Sequence, residues 1–250
     1  MASDETFSSM ENEPGAENTV AAQQWLADRH HKLNHYINGA WVGPSSAKYI
    51  ETIGPERGEL LAKVADGTAK DTDRAVAAAV AAQPGWVSLD GGERARYLDT
   101  IAWQVEKHSG LFSELENLEN GKPVKESSDV DVPLVSHHFH LRADWAKAVD
   151  GEFPGFESPG VVSQIIPRDF PLLTVSRKLA PALAMGSTVI LKPNEFAAAT
   201  AVLLAQICHE VELPNGVFNL LLGDSKAEKL LEVHPDVKKI EFQARPGLER

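Results

Sequence analysis

An α/β fold built on a parallel sheet is what this sequence predicts, and three features of its 250 residues predict it. From Val161 onward, short apolar runs alternate with helix-length segments at the spacing of right-handed β-α-β crossovers. Before Val161, apolar residues recur at helical period through several consecutive segments. Turn signals at Asn38-Gly39, at residues 54–58 and at Asn120-Gly121 punctuate these runs.

Taken in order, residues 1–18 are rich in Glu, Ser, Asn and Asp with little to bury, so they read as a disordered acidic tail. An amphipathic stretch, AAQQWLADRHHKL, comes next, followed by HYINGAWV (35–42), strand-like and broken at Asn38-Gly39. LLAKVA, after the turn at 54–58, is a strand. Asp71 or Thr72 is placed to cap DRAVAAAVAAQ, an alanine-rich run of high helix propensity. ERARYLDTIAWQVEKH sets Leu98, Ile101, Ala102 and Val105 on one helical face. LFSELENLENGK stops at Asn120-Gly121, and DVPLVSHHFHLRADWAKAV is a further helix. VVSQII is a strand, and FPLLTVSRKLAPALAMG is a helix with Pro171 in its first turn and Gly186 at its end. STVILKP, VFNLLLG and KKIEF then read as strands, separated by the helices AAATAVLLAQICHEV and SKAEKLLEVH.

Composition excludes some functions. The formal net charge is −12, from 36 acidic against 24 basic residues, which argues against nucleic acid or an anionic membrane surface as partner. No apolar run approaches a membrane span, and the first twenty residues lack the features of a signal peptide. The lone cysteine, Cys208, permits neither an intrachain disulfide nor a thiolate metal cluster, and fits a reducing, cytoplasmic setting.

In an open parallel sheet, ligands bind at the carboxyl ends of the strands. Three such ends carry polar residues: Ile166-Pro167-Arg168-Asp169, Lys192-Pro193-Asn194-Glu195 and Gly223-Asp224. A lysine and a glutamate three residues apart can grip vicinal hydroxyls; the alternative is an exposed pair capping the next helix. The fingerprint G-x-G-x-x-G is absent, so spacing alone names no cofactor. His137, His138 and His140 share a helix, but further ligands for a zinc ion are not evident, which favours packing and surface roles.

At these residues a resemblance becomes specific. The run from IIPRDFPLL through LKPNEFAAAT to VFNLLLGD resembles the aldehyde dehydrogenase superfamily, nearly without gaps. ERARYLDTIAWQVEKHSGLFSELENLENGKPVKES is similar to that superfamily's helical region with its Asn-Gly-Lys-Pro turn. WLADRHHKLNHYINGAWV and DVDVPLVSHHFHLRADWA look like the family 16 branch. The resemblance implies a Rossmann-like NAD-binding domain over residues 19–242, with a preceding helical region, truncated before the catalytic domain. It implies NAD-dependent oxidation of an aldehyde to a carboxylic acid. Lys192 and Glu195 match the pair that holds the adenosine ribose. A carboxylate at Glu195 disfavours a 2′-phosphate, so NAD is expected over NADP. Ile166, Pro167 and Arg168 match the strand end that lines the cofactor cleft, and Gly223 the glycine that admits the adenine. Asp169 stands where the family has the asparagine of its oxyanion hole.

The family nucleophile, a cysteine, and its general base, a glutamate, match nothing in this sequence, and Cys208 reads as a buried packing thiol. The chain alone is therefore expected to be an inactive fragment. The alternative is a non-catalytic nucleotide-binding or subunit-assembly module. Three departures bear on this. Asp169 replaces an amide donor, a loss that typically costs about 2.7–4 kcal/mol of transition-state stabilisation. Arg168 replaces a tryptophan. Residues 243–250 read QARPGLER in place of the Gly-Ser that opens a pyrophosphate-facing helix, with Arg245 left to pair with phosphate by charge. Another reading frame through residues 243–249 recovers Gly-Ser-Thr, two residues and Gly for particular codon choices, so a frameshift competes with genuine divergence or a deliberately cut chain. Apolar surface that the rest of a family member covers is expected to drive homo-oligomer formation or self-association.

Overall fold

The computed structural model describes residues 19–55, 58–152 and 155–242. The expectations for the acidic tail, for residues 243–250 and for Arg245 lie outside these described residues.

The leading segment forms α1 (Val20–Asp28), β1 (Lys32–Leu33), the hairpin β2 (His35–Ile37) and β3 (Ala40–Val42), then β4 (Tyr49–Ile53) and β5 (Leu60–Ala65). α1 is shorter than the amphipathic stretch suggests. His30 and His31 both take left-handed backbone angles, φ 52° and 54°, and this turn ends the helix. Lys32 and Leu33 are thereby released to pair in parallel with Lys63 and Val64. β4, unforeseen in the sequence, completes a three-stranded sheet in the order β1-β5-β4.

Helices follow: α2 (Ala69–Ser88), α3 (Gly91–Lys107), α4 (Ser109–Asn120), α5 (Val124–Glu126), a π-helical turn at Ser127–Asp131 and α6 (Val132–Glu152). α2 is capped by Thr68, not by Asp71 or Thr72. The Thr68 hydroxyl accepts the Asp71 N–H, and the Asp71 carboxylate accepts the Thr68 N–H, a reciprocal box that places Asp71 at the third helical position. α4 stops where expected, with Gly121 left-handed at φ 71°.

The nucleotide-fold portion runs β6 (Val161–Ile166), α7 (Pro171–Ala184), β7 (Thr188–Pro193), α8 (Ala199–Glu210), β8 (Phe218–Leu220), α9 (Ser225–Glu232) and β9 (Lys239–Phe242). Every residue of β6 and β7 is buried, as a parallel strand covered on both faces requires. The larger sheet has the order β3-β2-β8-β7-β6-β9. β6 to β9 are parallel to their neighbours, and the β2–β3 hairpin adds antiparallel edge strands next to β8.

α7 and α8 cover one face of the sheet, where Val189 and Leu191 join the main core with Leu172, Val175, Leu179 and Leu183. α2 and α9 cover the other, where Ile190 and Leu221 pack with Ala75, Val76, Ala79, Ala227 and Leu231. Each fully buried Leu or Val contributes about 1.5–3 kcal/mol of transfer free energy. The helical region locks onto this unit at the end of α7. Trp86 Nε1 donates to Leu183 O at 3.2 Å, Arg94 Nε to Ala184 O at 2.9 Å and Gln83 Nε2 to Gly186 O at 2.9 Å. These bonds satisfy carbonyls that a helix end leaves open. After β8 the chain crosses to the far side of β6 to lay down β9. That reversal puts the topological switch point between β6 and β9, and sheets of this class bind ligands in a crevice outside the carboxyl ends of strands at such a point.

Candidate cofactor site

β7 carries Lys192 near its carboxyl end. Its side chain has no exposed surface, and Nζ lies 2.8 Å from Glu228 Oε1 of α9 and 3.6 Å from Glu195 Oε2. An ammonium this deep stays charged only beside counter-charges, and the two carboxylates, 27% and 18% exposed, supply them from the solvent side. The reading of Lys192 and Glu195 as an exposed capping pair is thus incorrect: one member is wholly internal. The arrangement presents an ammonium donor and two carboxylate acceptors at one strand end.

Gly223 forms the neighbouring wall. Its φ of 143° is disfavoured for residues with a side chain, and a Cβ there would lie 2.9 Å from Gly67 N and 3.1 Å from Ala227 Cβ. The partner, Gly67, is equally constrained: its N–H donates to Leu222 O at 3.1 Å, and a Cβ on it would fall 2.3 Å from that oxygen. Two glycines from distant segments thus let the loops after β5 and β8 lie against each other.

His35 supports this contact from beneath. Its Nδ1 accepts the Leu222 N–H at 3.0 Å, so the proton of the neutral ring sits on Nε2, which faces Asp71 Oδ2 at 4.0 Å. Burial pushes the imidazole pKa down to about 4, against the opposing pull of Asp71. Asp71 moves down as well: burial raises it, but hydrogen bonds from Ser45 and Thr68 outweigh that. The sequence reading did not single out His35. The Thr68-x-x-Asp71 box was a legible signal for half of this buried pair.

The loop after β6 carries the remaining expected residues. Ile166 is buried, Pro167 is half-buried, and Arg168, Asp169 and Phe170 are exposed. Phe170 is left-handed at φ 49° and leads into α7, its carbonyl accepting the Thr174 N–H at 2.9 Å. Arg168 Nη2 points to Glu119 O of α4, 3.4 Å away, and so the structure does not bring its guanidinium to Lys192. Lys178, which sequence reasoning passed over, donates to Glu241 O of β9 at 3.2 Å. Desolvation lowers its pKa against the attraction of Glu241. A lysine within the apolar pattern of α7 was the available signal.

The other candidates lie elsewhere. Cys208 is fully buried in α8, and burial pushes its thiol up to about 12, which removes it as a nucleophile. His137 is exposed, His138 Nδ1 meets Ser176 Oγ at 2.9 Å, and His140 Nδ1 meets Asp99 Oδ1 at 2.8 Å. Among the described residues no three His, Cys, Asp or Glu side chains are grouped to hold a metal ion. Among the same residues no helix is long and apolar enough to cross a membrane.

The profile of the aldehyde dehydrogenase family matches residues 41–246. The chain belongs to the aldehyde dehydrogenase family. It is 38% identical over 222 residues to acetaldehyde dehydrogenase 2 of Cupriavidus necator, covering 84% of this chain and 44% of that protein. It is 38% identical over 219 residues to the mitochondrial aldehyde dehydrogenase family 2 member B4 of Arabidopsis thaliana, covering 82% and 41%. The fold agrees with a Bacillus cereus aldehyde dehydrogenase solved with NAD+, at TM-score 0.82 and 31% identity over 87% of this chain and 47% of the other. A Staphylococcus aureus betaine aldehyde dehydrogenase, also solved with NAD+, gives TM-score 0.81 and 30% identity over 89% and 46%. The chain thus spans less than half the length of the curated relatives it matches, and corresponds to the N-terminal half of the aldehyde dehydrogenase architecture.

Proposed function

We propose that these residues form the NAD-binding half of an enzyme that oxidises an aldehyde to a carboxylic acid. The observation that carries this reading is the buried Lys192 held between Glu195 and Glu228 at the carboxyl end of β7, one strand from the switch point. The donor set fits a ribose diol, because the ammonium donates to hydroxyl oxygens while a carboxylate accepts their protons. Two carboxylates against one lysine leave the spot negative, which disfavours the 2′-phosphate of NADP and favours NAD. Gly223, after β8, and Ile166, at the end of β6, belong to the same proposed cofactor site. Arg245 and its approach to phosphate remain part of the proposal.

The chemistry that NAD supplies when bound is two-electron oxidation of the substrate carbon. What this stretch contributes is binding, orientation and exclusion of water. Its one cysteine is internal and protonated, so aldehyde turnover depends on a thiolate and a general base outside these 250 residues. Asp169, exposed at the mouth of α7, supplies a carboxylate where an oxyanion calls for a donor. The family 16 assignment, a cytoplasmic setting and self-association through uncovered apolar surface complete the reading.

Binding assays test it directly. Glu195→Gln removes one of the charges that oppose a 2′-phosphate, and should shift the NADP-to-NAD affinity ratio toward NADP by about tenfold, since close like charges cost on the order of a kcal/mol or more. An unchanged ratio in calorimetric titrations contradicts the assignment of Glu195. Incubation of the purified polypeptide with NAD and acetaldehyde should give no NADH absorbance; measurable turnover overturns the inactive-half reading.

A further inference from the structure

The last turn of α4 reaches the loop that follows β6 and the first turn of α8, where the loop after β7 ends. We infer that Glu119 is a positioning residue that holds the loop after β6 and the loop after β7 in register with each other. The inference rests on the cofactor reading above.

The side chain of Glu119 is 3% exposed. One carboxylate oxygen accepts the Ala199 N–H and the other the Thr200 N–H, at 3.3 Å for the second. α8 has no capping side chain of its own, since Ala198 occupies its N-cap position. The orphan donors of that helix are therefore met from a different part of the chain, 80 residues upstream. The backbone oxygen of the same Glu119 accepts from Arg168 Nη2, in the loop after β6. Three residues on, the Lys122 ammonium sits 4.6 Å above the ring of Phe170 and is paired with Asp131. The turn itself is closed by Gly121 N–H to Asn117 O at 2.8 Å and Asn117 Nδ2 to Lys122 O at 3.1 Å. One rigid turn thus grips residues 168–170 on one side and 199–200 on the other. Ile166 and Pro167 immediately precede the first of these segments in the chain, and Lys192 and Glu195 precede the second.

Burial pushes the Glu119 carboxyl up to about 8, with the N–H groups of Ala199 and Thr200 partly offsetting it. A side chain of lower desolvation cost, such as glutamine, has only one acceptor oxygen and meets one of the two donors fully. In Glu119 each oxygen of the carboxyl group faces one N–H of the first turn of α8.

The test combines backbone hydrogen exchange with NAD titration of the full chain, well below its melting temperature, where loss of global stability does not change the measured affinity. Glu119→Ala should speed exchange in both loops, 167–170 and 194–198, and weaken NAD binding about tenfold. Glu119→Gln should give an intermediate effect of about threefold, with exchange raised at Thr200. Where the alanine variant fails to fold, the near-isosteric glutamine variant decides on the same readouts. Faster exchange confined to α8, or unchanged exchange in a folded variant, overturns the inference. Absence of NAD binding by the unaltered chain defeats the cofactor reading instead, and the exchange pattern still decides the role of Glu119.

Discussion

Lys192 is where the residue-scale energetics concentrate. A buried ammonium flanked by Glu195 and Glu228 is stable only as a set. Lys192→Met leaves two carboxylates facing each other at the strand end. Because both reach solvent, the expected loss is modest, about 1–3 kcal/mol by chemical unfolding, while NAD affinity should fall beyond detection in the same variant. A Met variant that binds NAD normally removes Lys192 from the site. His35 gives a second residue-scale prediction. Its imidazole has a pKa of about 4 when folded against the ordinary 6.5, so the unfolded chain takes up a proton that the native state refuses. Its contribution is fully present above pH 6.5 and is lost as pH falls toward 4, about 3 kcal/mol in all. Glu119 acts in the opposite sense: its stabilisation is present below 4.5 and is lost as pH rises through about 8. Comparing the chain with His35→Gln by urea unfolding at about pH 7 and about pH 5 isolates the histidine, and the difference between them should shrink at the lower pH. A constant difference contradicts a neutral, buried His35.

At the scale of elements, the crevice is built from loops whose shape is set by close backbone approach. Gly67→Ala puts a methyl group 2.3 Å from Leu222 O, and the loops after β5 and β8 must separate. The expected cost is about 1–3 kcal/mol together with weaker NAD binding, measured by thermal melting and titration. A variant of full stability and affinity shows that the contact is dispensable. The elements were unevenly legible. β6 and β7 announced themselves as VVSQII and STVILKP, because strands buried on both faces carry apolar residues on both rather than alternating with polar ones. α1 was overextended through HHKL, since a left-handed turn at His30 and His31 carries no glycine to mark it. β4 went unseen because YIETI has no clean alternation, with only Thr52 buried. Of the residues proposed for the site, Lys192, Glu195 and Gly223 were singled out by strand-end position and resemblance. His35, Glu119 and Lys178 were not, because each acts across a long sequence separation that only the fold closes.

The described residues form an N-terminal aldehyde dehydrogenase unit with large apolar side chains exposed on it. β9 lies at the edge of the larger sheet with Phe242 49% exposed, and Trp103 and Trp145 stand out from α3 and α6. A strand edge paired by no other described strand and exposed aromatic rings favour association, so light scattering after gel filtration should show species larger than 27.1 kDa at micromolar concentration. A monodisperse monomer contradicts this. The charge balance of −12 acts against nonspecific aggregation and makes any association salt-dependent. Calorimetric titration of NAD into the purified chain decides whether it binds nucleotide without performing chemistry. One saturable site per chain, abolished by Lys192→Met, is expected; a chain that takes up no NAD, or takes it up equally well without Lys192, rules out the cofactor site at the end of β7.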